Sequence, residues 1–305
     1  MRKILLWMAR NQWLKERLPR LRFVRKAVRR FMPGEDVDAA FGAAAALSAG
    51  GQGILLTRLG ENLSRIVEAD DVAAHYRAIL DRGASLARPI ELSVKPTQLG
   101  LDIDEDACLR HLDDLAGRAE SAGTWLWVDM ESSAYVERTL VLYERLKARH
   151  RNVGICLQAY LRRTPADIHR LLPLEPAVRL VKGAYDEPAD VAWRRRAEVD
   201  GAFQAAALII AEAARDGRAR LALGTHDGSL VERIATFADA ADVPRECLAV
   251  HMLYGIRAGE LRRLQKAGFP AFTLIAYGDH WYPWYMRRLA ERPANVWFAL
   301  RQLLP

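Results

Sequence analysis

Eight short apolar runs, each ending in polar groups, constrain this chain more than any other feature: GILLTRLGEN, PIELSVKP, TWLWVDME, VGICLQAY, AVRLVKGAY, LALGTHD, CLAVHMLYG and FTLIAYGDHW. Between them lie longer stretches of helical period, such as 105–121 and 134–149, apolar every three or four residues. Glycine, proline or small polar residues punctuate nearly every junction. Eight strands alternating with helices predict α/β architecture, a parallel sheet closed into a (βα)8 TIM barrel. At 305 residues the chain suits one such barrel, ordinarily about 250 residues, plus an extension. No repeat of fixed period and no long linker divides the body.

The extension is at the N-terminus. Residues 1–33 hold eleven Lys/Arg against the single acid Glu16, leaving 34 basic and 37 acidic residues in the remainder. The predicted organisation is therefore a basic helical arm over 1–34 and a nearly neutral barrel over 35–305. Leu5, Leu6, Trp7, Trp13, Leu14, Leu18, Leu21, Phe23 and Val24 interleave with the charges. Two readings of the arm stand side by side: an interfacial helix on an anionic membrane, or a helix packed on the barrel's own surface. Nucleic acid is not expected, because no recognised binding module accompanies the arm. No apolar run approaches the roughly 18 residues needed to span a bilayer. Cys108, Cys156 and Cys247 form no CxxC pair and no secretory leader is evident, so cytoplasmic thiols are expected, with the membrane's inner face as the arm's alternative. HExxH, Walker and GxGxxG motifs are missing, and no metal is expected.

The strand ends carry Glu61 and Asn62, Lys95, Asp129 and Glu131, Gln158 and Tyr160, Lys182 and Tyr185, Thr225, His226 and Asp227, Tyr254, and Tyr277. Each alone has an ordinary explanation as a solvated or capping residue. Together they are expected to converge on the barrel mouth, where such folds place active sites. Arg179 poses a sharper question. It lies in the middle of AVRLV, where an unpaired charge would be costly to bury. An anionic or electron-rich partner in the mouth would let it stay charged.

LQAYLRR, RLVKGAY, THD, YGIR and WYPWYMRRLAERPAN follow in order at the ends of strands four to eight and in the final helix. With ELSVKPTQLG and VDMESSAY, this ordered set over roughly residues 35–303 resembles the monofunctional bacterial proline dehydrogenases. The resemblance implies a distorted barrel that holds FAD and oxidises L-proline, or a related cyclic imino acid, to Δ1-pyrroline-5-carboxylate. Hydride passes to flavin N5, and electrons pass on to a membrane quinone. It further implies Lys95, Arg287 and Arg288 on the substrate carboxylate, for which guanidinium forks are well shaped. Leu253 falls in the proline pocket, and Asp129 matches the essential aspartate. Arg179 matches the arginine that donates towards N5. Met130, Gln158, Lys182, Gly183, Ala184, Thr225 and His226 match flavin contacts, the glycine being expected to permit close approach. Glu291 is expected to brace Arg287.

One departure stands out. Where the family commonly reads VYVPYG, this chain reads TLIAYG, with Leu274 at the tyrosine position and Ala276 at the proline position. Tyr277 is expected to face the other way. A bulkier or modified imino acid is therefore an alternative substrate. A flavin-free, membrane-associated binding barrel and a Schiff-base aldolase using Lys95 or Lys182 are further alternatives.

Overall fold

The computed structural model describes residues 5, 7, 8, 11–18, 24, 28–60, 63–83, 86 and 88–291. Eight parallel strands close into a barrel in sequence order: β1 (Gly53–Arg58), β2 (Glu91–Val94), β3 (Leu126–Val128), β4 (Val153–Gln158), β5 (Ala177–Val181), β6 (Arg220–Gly224), β7 (Leu248–Leu253) and β8 (Ala271–Tyr277). Closure pairs β1 with β8 from Gly53↔Phe272 to Arg58↔Tyr277, so neither strand is left as an edge. Among the described residues the α-helices are α1 (Gln12–Arg17), α2 (Val37–Ala49), α3 (Ile66–Gly83), α4 (Glu105–Ser121), α5 (Val136–Lys147), α6 (Thr164–Leu171), α7 (Arg196–Arg215), α8 (Gly228–Asp239), α9 (Ala258–Lys266) and α10 (Trp281–Glu291).

Local chemistry explains the joints. Asp104 caps α4 by accepting from the Ala107 N–H at 2.9 Å, and the helix then buries Leu109, Leu112, Leu115, Ala116 and Ala119 at helical spacing. Two cores result. Helices and outward strand faces form the large one, whereas the barrel interior holds Leu55, Trp127, Ala177, Ala222 and Ala249 beside Trp125, Phe272 and Leu274. Two tryptophans fill so much of that interior that small residues must oppose them. A Cβ added at Gly154 would fall 2.5 Å from the Trp127 ring.

The arm's described apolar residues are largely accounted for, while Leu6, Leu21 and Phe23 lie outside the described residues. Leu5, Val28, Phe31 and Met32 are buried in a cluster with Trp281, Tyr282, Trp284, Tyr285, Met286 and Leu289 of α10. Phe31 meets Tyr285 with ring centroids 5.6 Å apart, and Tyr282 Oη donates to the Met8 carbonyl. Trp7 and Trp13 nevertheless remain 60% and 57% exposed. The arm thus covers α10 with one side and presents two indoles on the other. Among the described residues no helix is long and apolar enough to cross a membrane.

Candidate active site

Alternation along the strands builds the site. On β2 and the residue after it, Glu91, Ser93 and Lys95 share one face; on β3 the same face carries Trp125, Trp127 and Asp129; on β5 it carries Ala177, Arg179 and Val181. Each strand brings a polar residue towards the mouth while its outward residues stay apolar.

Arg179 is 4% exposed. Its Nη2 donates to Ser93 Oγ at 2.8 Å and to Asp129 Oδ1, and the same carboxylate oxygen accepts from Ser93 Oγ at 2.8 Å. Burial works against the guanidinium charge, but the attraction of Asp129, added to that of Cys156 and Glu91, outweighs it and raises the pKa above the ordinary value. Nη1 is buried and, among the described residues, has no hydrogen-bonding partner of ordinary geometry, though the Cys156 thiol adjoins the guanidinium. The mid-strand arginine is therefore kept charged by an internal carboxylate, with one nitrogen left over. Gln158 is similar: its Nε2 donates to the Met130 and Glu131 carbonyls at 3.1 and 2.9 Å, while its buried Oε1 is without a partner among the described residues.

The β5 and β6 tips are joined by charge. Lys182 Nζ lies 2.5 Å from Asp200 Oδ1 and 3.2 Å from Asp227 Oδ2, and Arg196 Nη2 reaches Asp227 Oδ2 at 3.1 Å. Asp227 also caps α8 by accepting from the Leu230 N–H, and its own N–H donates to Thr225 Oγ1. Burial would raise its pKa, but Lys182, the Leu230 N–H and Arg196 together hold it at about 2. With its ammonium between two carboxylates, Lys182 does not sit in the apolar pocket of a Schiff-base lysine. Gly183 is required by its own surroundings within the chain. Its φ is +115°, and an added Cβ would fall 2.2 Å from the Tyr160 ring, so the close approach is made by Tyr160.

Further round the rim, His226 Nε2 accepts from the Leu253 N–H at 3.0 Å, which puts the ring proton on Nδ1 of the neutral imidazole. Leu253 pairs in register with Leu274, and Leu274 faces the interior beside Leu55. Lys95 stands half-buried just beyond β2, at the head of a turn formed by Pro96–Leu99. Met130, Ala184 and Thr225 occupy the tips of their strands as expected. Helix α10 reaches the β5 side of the mouth, where Arg287 Cζ lies 5.9 Å over the Tyr185 ring. Arg288 follows on the same helix, half-buried.

Two strand-end residues do not join the mouth. Tyr277 points outward, its Oη within 2.8 Å of His75 Nε2 on α3. Glu131 turns back to accept from the Thr97 N–H and Oγ1 at 3.1 and 2.7 Å. Glu61, Asn62 and the Glu291 side chain lie outside the described residues. Sequence reasoning missed Ser93 and Asp200. The first was detectable as the middle member of the polar alternation Glu91, Ser93, Lys95. Asp200 lies on a helix, and nothing in its neighbours ties it to Lys182.

A (βα)8 barrel with a carboxylate-paired arginine buried below its mouth and basic groups on the rim defines an enzyme scaffold for an anionic or electron-rich ligand. A family model described as proline dehydrogenase matches residues 41–301. The chain is 32% identical over 304 residues to "Proline dehydrogenase 1" of Bacillus subtilis (strain 168), covering 100% of this chain and 99% of that protein. "Proline dehydrogenase" of Deinococcus radiodurans is 29% identical over 280 residues, 90% of this chain and 89% of that one. Among solved structures, proline utilization A (PutA) from Bdellovibrio bacteriovorus, inactivated by N-propargylglycine, superposes with a TM-score of 0.80 at 20% identity. It covers 94% of this chain but only 38% of that longer protein, and at such identity it speaks for the fold alone. The chain belongs to the proline dehydrogenase family. These comparisons give no support to a non-catalytic barrel or to a different imino acid as substrate.

The Asp227 hub predicts a pH dependence. Its folded pKa of about 2 lies below the ordinary aspartate value, roughly 3.9 in an unfolded chain. The stability it adds is complete above that ordinary value and is lost as pH falls through the folded one. Denaturant unfolding of wild type should weaken more steeply between pH 4 and pH 2 than that of Asp227→Asn. Parallel losses in the two proteins would remove Asp227 from the account.

Proposed function

We propose that this chain oxidises L-proline to Δ1-pyrroline-5-carboxylate with FAD as its cofactor. The observation that carries the reading is Arg179: a buried guanidinium, fixed through Nη2 and, among the described residues, unpartnered at Nη1. The free Gln158 Oε1 supports the same fit. Met130, Gln158, Lys182, Gly183, Ala184, Thr225 and His226 would hold the cofactor. FAD supplies the acceptor for the hydride that leaves the ring carbon beside the substrate nitrogen, and a quinone then receives the electrons.

The chain's own residues supply the rest. Arg179 donates a fixed, charged N–H where electron density builds up, and Asp129 keeps it aligned. Lys95, Arg287 and Arg288 grip the substrate carboxylate, while Leu253 and Leu274 give the imino acid ring an apolar wall that excludes water. Leu274 in place of an aromatic residue leaves that wall smaller.

Arg288→Ala is expected to raise the Michaelis constant for L-proline while FAD stays bound. Removing one charged partner from a desolvated carboxylate costs on the order of 2–5 kcal/mol. Steady-state kinetics with an unchanged Michaelis constant would remove Arg288 from the carboxylate site.

The quinone reading goes with a peripheral membrane contact through residues 1–33. The exposed Trp7 and Trp13, the Arg17 guanidinium 4.6 Å over the Trp13 ring, and the arm's surplus of basic residues support it. The full chain should sediment with anionic vesicles and be released by salt. Replacing both tryptophans with serine should weaken that sedimentation and spare dye-linked activity. Equal sedimentation of the double variant would refute the contact.

A further inference from the structure

We propose that Trp127 is a positioning residue for Arg179, and that the Glu91–Arg220 ion pair on the barrel floor sets the indole's orientation. The inference rests on the flavin reading above. Glu91 and Arg220 start strands four places apart in the barrel, yet Arg220 Nη2 meets Glu91 Oε1 at 2.6 Å. The other carboxylate oxygen, Oε2, accepts from Trp127 Nε1–H at 2.6 Å. One carboxylate thus ties β2, β3 and β6 together beneath the site.

Two guanidiniums bear on the same indole. Arg220 Cζ lies 5.3 Å and Arg179 Cζ 5.5 Å from the Trp127 ring centroid, both within cation–π range. Trp127 has no exposed surface, and the backbone at Gly154 leaves it no room to shift towards β4. His251 packs edge-on against the ring at 5.5 Å. Burial and the two nearby guanidiniums hold its pKa well below the ordinary value, so it adds no charge.

Position matters here more than stability. A buried ion pair is a weak stabiliser, and apolar residues of similar volume would close the floor at least as well. What apolar residues would not supply is a hydrogen-bonded anchor for the indole edge. Arg179 is hydrogen-bonded on its Asp129 side, so the surface against which the guanidinium rests fixes its tilt. Trp127 is such a surface, its ring centroid 5.5 Å from the guanidinium carbon, with Cys156 adjoining the same group from β4. A tilt of the guanidinium moves the spare Nη1, the nitrogen assigned to the electron-rich ligand.

The test is the two-electron midpoint potential of the bound flavin, by anaerobic titration against a reference dye. Trp127→Leu removes the supporting face, and should shift the oxidised-to-reduced ratio about tenfold towards oxidised, about 30 mV more negative. Trp127→Phe keeps a ring in the same space but loses the Glu91 anchor, and should shift the ratio about threefold in the same direction. Should the leucine variant not fold, the phenylalanine variant carries the test. In an Arg179→Met background neither substitution should move the potential further, because the residue being positioned is gone. An unchanged potential with Arg179 present would overturn the proposal. So would an equal shift with and without Arg179, since a merely structural effect would not depend on that side chain. A folded protein that takes up no flavin would overturn both this inference and the reading beneath it.

Discussion

The site depends on one buried contact, the pairing of Arg179 with Asp129. Removing a guanidinium from water is tolerable only with a compensating charge and well-satisfied hydrogen bonds. Asp129 and Ser93 supply both, from neighbouring strands that the barrel places side by side. Breaking the pair would leave an uncompensated buried charge, at a cost of about 3–5 kcal/mol. Placing β3 and β5 in one closed sheet is therefore a condition of the chemistry. Residues 50 positions apart in sequence meet because β3 and β5 flank the same strand, β4.

Rim groups extend this pattern. Lys182 stands between Asp200 and Asp227 in a network completed by Arg196, so its charge is balanced before any ligand arrives. Asp227 joins that network to the first turn of α8, and the adjacent His226 is oriented by a backbone N–H of β7. Strand tips β5, β6 and β7 are thus cross-linked, and the mouth is rigid on this side. On the other side α10 brings Arg287 to Tyr185 while the arm's Val28, Phe31 and Met32 cover its back. The arm's apolar residues therefore support the helix proposed to bind the carboxylate, and its exposed tryptophans are left for another surface.

Much of this was legible in the sequence because strand periodicity is strict. Eight apolar runs with polar ends led to the barrel, and the position of Arg179 in AVRLV already implied a charged partner. The inward placement of Leu274 and the outward placement of Tyr277 followed from alternation alone. What was not legible depended on contacts between distant elements. Glu131 looked like a mouth residue until the Thr97 backbone claimed it, and no local pattern showed that the Tyr160 ring lies against Gly183. Glu91 and Arg220 lie 129 residues apart, and no local pattern joins them. The arm had two compatible readings because its apolar residues gave no sign of which surface they would cover. Leu5, Val28, Phe31 and Met32 cover the aromatic face of α10.

The most direct test of the central claim is anaerobic mixing of the flavin-loaded protein with L-proline, following the loss of flavin absorbance. Wild type should bleach rapidly. Arg179→Ala should keep its flavin yet bleach on the order of a hundredfold more slowly, as expected when one fixed donor to developing charge is lost. Bleaching of Arg179→Ala at the wild-type rate would contradict the account.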